Sequence, residues 1–201
     1  MKFLLIIISF ACFGFANAQT ISAPPFKRFG FQAGLNTANM NFNLGVPAPA
    51  GHIAAFWKTG ISFGFLLRVP LAKDLFLQPE YAFNQRKGAD KSISVDYDLD
   101  YLSMPVLLNY SISSRISLLA GPQLELLIDA RSAGNGVSSN ITHDVEERSI
   151  GLLAGLEFRV KKSLFLSARY LQGLNHIGIG QRSDVKEFKY EVVSVSAGIR
   201  F

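Results

Sequence analysis

The sequence predicts an all-β fold, an eight-stranded antiparallel up-and-down transmembrane β-barrel. Apolar and polar residues alternate along eight long segments, as expected for strands with two different faces. Hydrophobic residues make up 49% of the chain and charged residues 17%. After the first residues, no stretch of about 18 uncharged apolar residues supplies a membrane helix. A closed sheet whose outer face contacts lipid accounts for all three observations, because closure pairs every backbone group.

Residues 1–18 are predicted to be a signal peptide rather than part of the fold. Lys2 supplies the positive start, Phe3–Phe15 is an apolar run, and Ala16–Ala18 supplies a small-x-small cleavage site. The barrel domain is then 19–201. Cys12, the one cysteine, lies in this leader, which excludes disulfides, a cysteine nucleophile and cysteine-based zinc sites from the mature domain.

Each predicted strand places apolar residues on one face and small or polar residues on the other. The eight strands are Phe29–Asn36, Thr59–Leu71, Leu75–Arg86, Tyr97–Ile112, Ile116–Asp129, Arg148–Val160, Leu164–Gln172 and Tyr190–Phe201. In the last of them, Val193, Val195 and Ile199 oppose Ser194 and Arg200. We expect the apolar face of each strand to contact lipid.

The connections between these strands alternate in length. The tight turns are Ala72–Asp74, Ser113–Arg115 and Lys161–Ser163, and the longer loops are Asn39–Phe56, Lys87–Ser94, Ala130–Glu147 and Gly173–Lys189. This alternation is typical of a transmembrane barrel with both termini in the periplasm. We therefore expect the long loops to face the outside of the cell.

A soluble, lipocalin-like barrel is the alternative, since its strands also alternate. Such a barrel turns its apolar row inward and needs a water-facing row rich in Lys, Glu and Asp. Here the polar rows are mostly Gly, Ser, Asn and Gln with isolated charges. That composition favours a narrow lumen in a membrane barrel. Tyr residues and Trp57 are then expected to help set its depth in the bilayer.

Several segments resemble a known family. They are Tyr101–Tyr110 with its Tyr-Leu-Ser-Met-Pro start, Ala120–Gln123, Ala168–Tyr170 and the closing Val195–Phe201. The chain resembles the outer-membrane β-barrel domain common in Bacteroidetes, including the PorT family. The resemblance implies an eight-stranded barrel in the outer membrane. Because PorT is tied to type IX secretion, it also implies a link to protein secretion.

Charged residues on the polar faces are predicted to point into the lumen. They are Glu80, Glu125, Glu157, Arg68, Arg86, Arg159, Arg169 and Arg200. Side chains just fill an eight-stranded barrel, so we interpret this set as a structural ion-pair plug. A gate or proton path is the alternative. The glycine pairs Gly30/Gly34, Gly60/Gly64 and Gly151/Gly155 are expected to make room for these charges.

Three histidines, His52, His143 and His176, fall in the predicted outer loops. A barrel-embedded lipid hydrolase would use Ser, His and a carboxylate, and Asp144 follows His143 while Ser183 and Asp184 follow His176. No nucleophile motif accompanies them, and no His-x-His spacing supports a metal. We therefore predict no catalytic, cofactor-binding or metal-binding residues.

The function expected from the sequence is non-enzymatic. It is a structural or accessory role in the cell envelope, for which the resemblance implies a link to secretion. The alternative is surface recognition or adhesion through Asn39–Phe56 or Ala130–Glu147. The expected partners are outer-membrane lipid and envelope or secretion proteins. The formal charge of +5 comes from scattered residues, so nucleic acid is not an expected partner. The oligomeric state is left open.

Overall fold

A computed structural model describes residues 28–41, 43, 56–90, 94–134, 137–177 and 188–201. The predicted signal peptide, His52, Ser183 and Asp184 lie outside the described residues. The strands are β1 Phe29–Asn41, β2 Lys58–Leu67, β3 Val69–Ala72, β4 Leu75–Asp90, β5 Val95–Ser111, β6 Ile116–Gly134, β7 Val137–Asn140, β8 Arg148–Arg159, β9 Leu164–Gly173 and β10 Lys189–Arg200. A 3₁₀ turn spans Thr142–Asp144.

The strands close into an eight-membered antiparallel barrel, which confirms the predicted fold class. β1 pairs with β10, from Gly30 opposite Arg200 to Asn41 opposite Lys189. β2 pairs with both β1 and β4, and the remaining order runs β4, β5, β6, β8, β9 and β10. β3 continues the line of β2 beyond Arg68, so the two segments occupy one position in the barrel.

The predicted apolar rows form the outer surface. Phe65, Leu152 and Val195, for example, are more than half exposed, whereas Arg200 is only 6% exposed. Along β8 and the residue that follows it, the apolar row runs from Ile150 to Val160, ten steps of about 3.3 Å. At a strand tilt of about 40° this covers about 25 Å, the height of the apolar band on outer-membrane barrels. Among the described residues, no helix is both long and apolar enough to cross a bilayer.

Two of the predicted loops are wrong in part, because strands extend into them. β4 runs on to Asp90 and pairs with Val95–Asp98 of β5, within the predicted loop Lys87–Ser94. β6 runs on to Gly134 and forms a hairpin with β7, within the predicted loop Ala130–Glu147. These extensions project past the apolar band at the end of the barrel opposite the tight turns. We call this end the loop end and the other the turn end.

A β-bulge in β6 turns Asp129, which lies on the polar face of the predicted strand Ile116–Asp129, to the outer surface. Asp100 of β5 pairs with Asp129, but Tyr101 pairs with Leu127, so β6 carries one extra residue at this point. An extra residue reverses the face alternation beyond it. Asp129 therefore lies on the outer surface, where Nε of Arg131 approaches one of its carboxylate oxygens at 2.7 Å.

The predicted role of the glycines holds for one of the six. At Gly155 a side chain would overlap Arg169, as expected. At Gly30 and Gly151 the space is taken instead by Leu66 and Leu171. The other three, Gly34, Gly60 and Gly64, lie against the backbone of the adjacent strands. The glycines thus mainly permit close approach of strands and apolar lumen side chains.

Candidate functional site: the lumen and the ends of the barrel

The middle of the lumen contains a bidentate ion pair between Glu80 and Arg169. Nη1 and Nη2 of Arg169 donate to the two carboxylate oxygens of Glu80 at 2.7 and 2.9 Å. Gln32 donates to Glu80 at 2.7 Å and accepts from Arg169 at 3.1 Å. Gln78 donates to Glu80 at 2.6 Å. Residues from three different parts of the ring thus converge on one carboxylate.

A second ion pair, Arg86 with Glu125, lies on the loop side of the first. One oxygen of Glu125 also accepts from Oγ of Ser103 and from Nε2 of Gln123, both at 2.7 Å. Asn84 donates to Ser103 at 2.9 Å. Both charges are 2% exposed, so these polar neighbours offset part of the cost of removing a carboxylate from water.

The third ion pair joins Arg200 to Glu157 at the turn end. The Arg200 guanidinium stacks on Phe165 at 4.1 Å from the ring centre. Arg68 lies at the same level, 4.0 Å over Phe76, and donates to Asn109 at 3.3 Å. The predicted inward direction is therefore confirmed for seven of the eight charges. Arg159 differs from the others in burial, since it ends its strand at the rim and is half-buried.

The loop-side part of the lumen is apolar, which the sequence analysis missed. A buried cluster there combines strand residues with residues from the connections. Tyr190 packs edge-on against Phe188 at 5.1 Å and Tyr101 at 6.0 Å between ring centres. Ile141 and Ile177, from the connections, are 7% and 1% exposed. Arg86 lies 5.2 Å from the centre of the Tyr190 ring, so this aromatic layer covers the ion pairs.

A cavity of about 50 Å³ lies between the ion pairs and the apolar cluster. Asn36, Arg86 and Arg169 contribute polar groups to its wall, and Leu171 and Val192 contribute apolar ones. Within the described structure, Nε and Nη1 of Arg86 and Oδ1 of Asn36 have no protein partner. A polar space of this size holds a few water molecules.

The outer surface of the loop end is charged and largely self-paired. Lys58 pairs with Asp96 at 2.5 Å and Lys87 with Asp98 at 3.8 Å. Arg131 pairs with Asp129. Asp100 lies beside Asp98 and Asp129, and burial together with these two carboxylates raises its pKa above the ordinary value.

The histidines do not assemble a catalytic group among the described residues. His143 is exposed and borders an open depression lined by Val145, Glu146, Glu147 and Arg148, a set without a serine nucleophile. His176 is half-buried, and the Ser and Asp considered with it lie outside the described residues. Among the residues that the structure describes, no group of three or more His, Cys, Asp or Glu side chains is placed to hold a metal ion.

The family model of the outer membrane protein beta-barrel domain matches residues 17–178. The chain belongs to this family. The outer membrane protein beta-barrel domain accounts for the closed ring and for the lipid-facing band, and it locates the protein in the outer membrane. No curated protein matches the sequence.

Solved barrels share the fold. The attachment invasion locus protein Ail of Yersinia pestis is 17% identical, with a TM-score of 0.51 over 88% of this chain and 100% of that one. Neisserial surface protein A is 19% identical, with a TM-score of 0.55 over 86% of this chain and 97% of that one. At this identity the likeness concerns the barrel architecture alone.

Proposed function

We propose that this outer-membrane protein is a non-enzymatic, non-conducting anchor that presents its loop end to a partner outside the bilayer. The filled lumen carries this proposal. Three buried Arg–Glu pairs occupy its turn-side part and an apolar cluster covers them. Moving solutes through the barrel would require breaking these pairs, and a buried pair that loses one partner costs about 3–5 kcal/mol. The surfaces at the two ends are then the parts free to act.

The loop end is the better candidate for the acting surface. The β4–β5 and β6–β7 hairpins extend the sheet past the lipid band, and all four residues of β7 are exposed. The apolar cluster beneath them holds the strands in one arrangement, which lowers the ordering cost of binding. We propose that this end faces the outside of the cell and that both termini face the periplasm, as the alternation of short and long connections favours.

Two more specific roles follow from this proposal. Ail, which shares the fold, is named an attachment invasion locus protein, and attachment through a rigid loop end suits the extended hairpins seen here. A PorT-like accessory role in secretion rests on the motif resemblance of the closing strand and of Tyr101–Tyr110. The structured loop end favours surface recognition as the first role to test.

The orientation is tested by labelling with a membrane-impermeant maleimide. The mature domain is expected to lack cysteine, so Ser138→Cys in β7 and Ser114→Cys in a tight turn each introduce one thiol, both at exposed positions. We expect labelling of Ser138→Cys on intact cells and of Ser114→Cys only after lysis. The reverse pattern would place the hairpins in the periplasm.

The role of the loop end is tested by complementation of a strain that lacks the protein. One variant replaces Arg131–Asn140 by a two-residue turn and removes β7 with the end of β6. We expect this variant to assemble, shown by a heat-dependent shift on a detergent gel, but to fail in restoring the deletion phenotype. Full restoration by the shortened barrel would instead support a purely structural role. Steps of ion conductance by the intact protein in planar bilayers would refute the sealed lumen.

A further inference from the structure

The turn end of the barrel carries a ring of cationic side chains. The described members are Arg28, Lys73, Arg115, Arg159, Lys161 and Lys162. They come from the residue before β1, from the last residue of β8 and from the three tight turns, and all are exposed except the half-buried Arg159. Asp74 is the one carboxylate side chain among the described residues of these segments. The ring is therefore strongly positive.

The backbone holds two pairs of these cations close to one another. The amide of Arg159 donates to the carbonyl of Arg115 at 2.7 Å, and Lys161 and Lys162 are neighbours in the turn after β8. Like charges at such neighbouring positions repel each other. Among the described residues, no ion pair includes any of the six cations. At the loop end, by contrast, Lys58, Lys87 and Arg131 are each paired with an aspartate.

The height of the ring relative to the bilayer is set by covalent connection to the lipid-facing rows. Arg28 immediately precedes the exposed Phe29, Arg115 precedes Ile116, and Lys161 follows Val160. Each of these three apolar residues is the one nearest the turn end in its lipid-facing row. Long Lys and Arg side chains at this position extend from the edge of the hydrocarbon into the headgroup layer.

We propose that the cationic ring at the turn end binds the phosphate headgroups of anionic glycerophospholipids in the adjacent leaflet. The ring places positive charge at the edge of the apolar band, at the depth where lipid phosphates lie. An anionic headgroup there would balance this charge. Each cation near a negatively charged membrane surface strengthens its attraction about fivefold, and the attraction falls off within a Debye length. In the orientation proposed above, this leaflet is the inner one. The proposed binding of anionic lipid by the ring does not depend on that orientation.

The test uses the full barrel in nanodiscs made of phosphatidylcholine with or without phosphatidylglycerol. The variant Arg115→Gln/Lys161→Gln/Lys162→Gln removes three turn-end cations. The matched control Lys87→Gln/Arg131→Gln/Arg148→Gln removes three loop-end cations. Native mass spectrometry counts retained lipids, and the temperature of the detergent-gel shift reports barrel stability. Symmetric discs present the same lipid to both ends, so a wrong orientation does not affect the result.

We expect the native protein and the loop-end control to retain phosphatidylglycerol over phosphatidylcholine. The turn-end variant is expected to lose this preference by about tenfold or more, and added salt should weaken it in the native protein. Equal retention of both lipids by the native protein would overturn the proposal, as would an equal loss in both variants. Stabilisation of phosphatidylcholine discs by inorganic phosphate alone would reassign the ring to soluble phosphate. A cellular defect of the turn-end variant without any lipid preference would point to an acidic protein.

Discussion

Two halves of strand β5 face opposite environments, although the strand is continuous. Between Leu102 and Tyr110 the outward residues are apolar, and the inward ones include Ser103 and Asn109. Between Asp96 and Tyr101 the rows are exchanged: the aspartates face outward, and Tyr97, Leu99 and Tyr101 are buried inside. The polarity of each row thus reverses where the strand leaves the lipid band. The outer solvent, lipid or water, decides which row is apolar.

This reversal gives the lumen two kinds of core. The membrane half is stabilised by charges that pair across the ring, whereas the loop half is stabilised by ordinary apolar burial. The first kind depends on every partner being present, since a lone buried charge is costly. The second loses stability in proportion to the atoms removed. The following substitutions test this difference.

The largest effect is expected from Glu80→Ala in the membrane half. Arg169 then loses both of its contacts to carboxylate oxygens and stays buried without them. We expect a loss of about 3–5 kcal/mol in the free energy of unfolding, measured by urea titration in micelles. The double variant Glu80→Ala/Arg169→Ala should cost less than the two single changes added together. The matched control Glu191→Ala, at a half-buried outward position, should cost under about 1 kcal/mol. A similar loss in both glutamate variants would contradict the ion-pair account.

A smaller but more local effect is expected from Leu99→Ala in the loop half. Leu99 is completely buried, so its truncation should cost about 2–4 kcal/mol. Because the cluster lies above the ion pairs, we expect the loop end to loosen first. Trypsin should then cut near Lys87 and Arg131 while the heat-dependent gel shift persists. The control Leu108→Ala removes a lipid-facing side chain and should leave the protease pattern unchanged. Cleavage within the membrane half of Leu99→Ala would show that the two halves unfold together.

An intermediate test concerns the contact between Gly88 and Met40 in the loop half. A methyl group at Gly88 would overlap the side chain of Met40, which is completely buried. We expect Gly88→Ala to cost about 1–3 kcal/mol through overpacking. The double variant with Met40→Ala should lose less stability than the two single losses added together, because the methyl then fills some of the vacated space. The measurement is the temperature of the detergent-gel shift for the native protein, the two single variants and the double variant. Additive losses in the double variant would exclude direct contact.

The smallest effect concerns Asp100 on the outer surface. Folding raises its pKa through burial and the neighbouring Asp98 and Asp129. A raised folded pKa means that the native state favours the protonated form, so the charged form destabilises it. The penalty is present above the folded pKa and absent below the unfolded value near ~3.9. Asp100→Asn should therefore stabilise the protein slightly at neutral pH and have no effect in strong acid. Unfolding followed by Trp57 fluorescence at both pH values tests this; equal stabilisation at both would exclude the electrostatic cause.

The barrel itself was predictable because lipid and lumen impose a period of two on long segments. The eight membrane segments, their faces and seven of the lumen charges were found in this way. The strand residues 87–90 and 95–96 were not predicted, because the prediction looked for an apolar outward row and the rows are exchanged at this end of the two strands. The pattern Asp-Tyr-Asp-Leu-Asp-Tyr at 96–101 contains the signal: the alternation persists, with its polarity exchanged.

The composition of each strand face by itself determined the strand number, the lipid-facing rows and the inward direction of the buried charges. Only the tertiary structure decided which Arg pairs with which Glu, because partners such as Glu80 and Arg169 lie 89 residues apart in the chain and meet only through ring closure. It also decided the outward position of Asp129. A bulge depends on the register between two strands, so it cannot be recognised from the sequence of one strand. The apolar loop-end core likewise forms only when residues such as Ile141 and Ile177 fold back over the ring. Local alternation is a property of one segment, whereas pairing, bulges and packing arise from several.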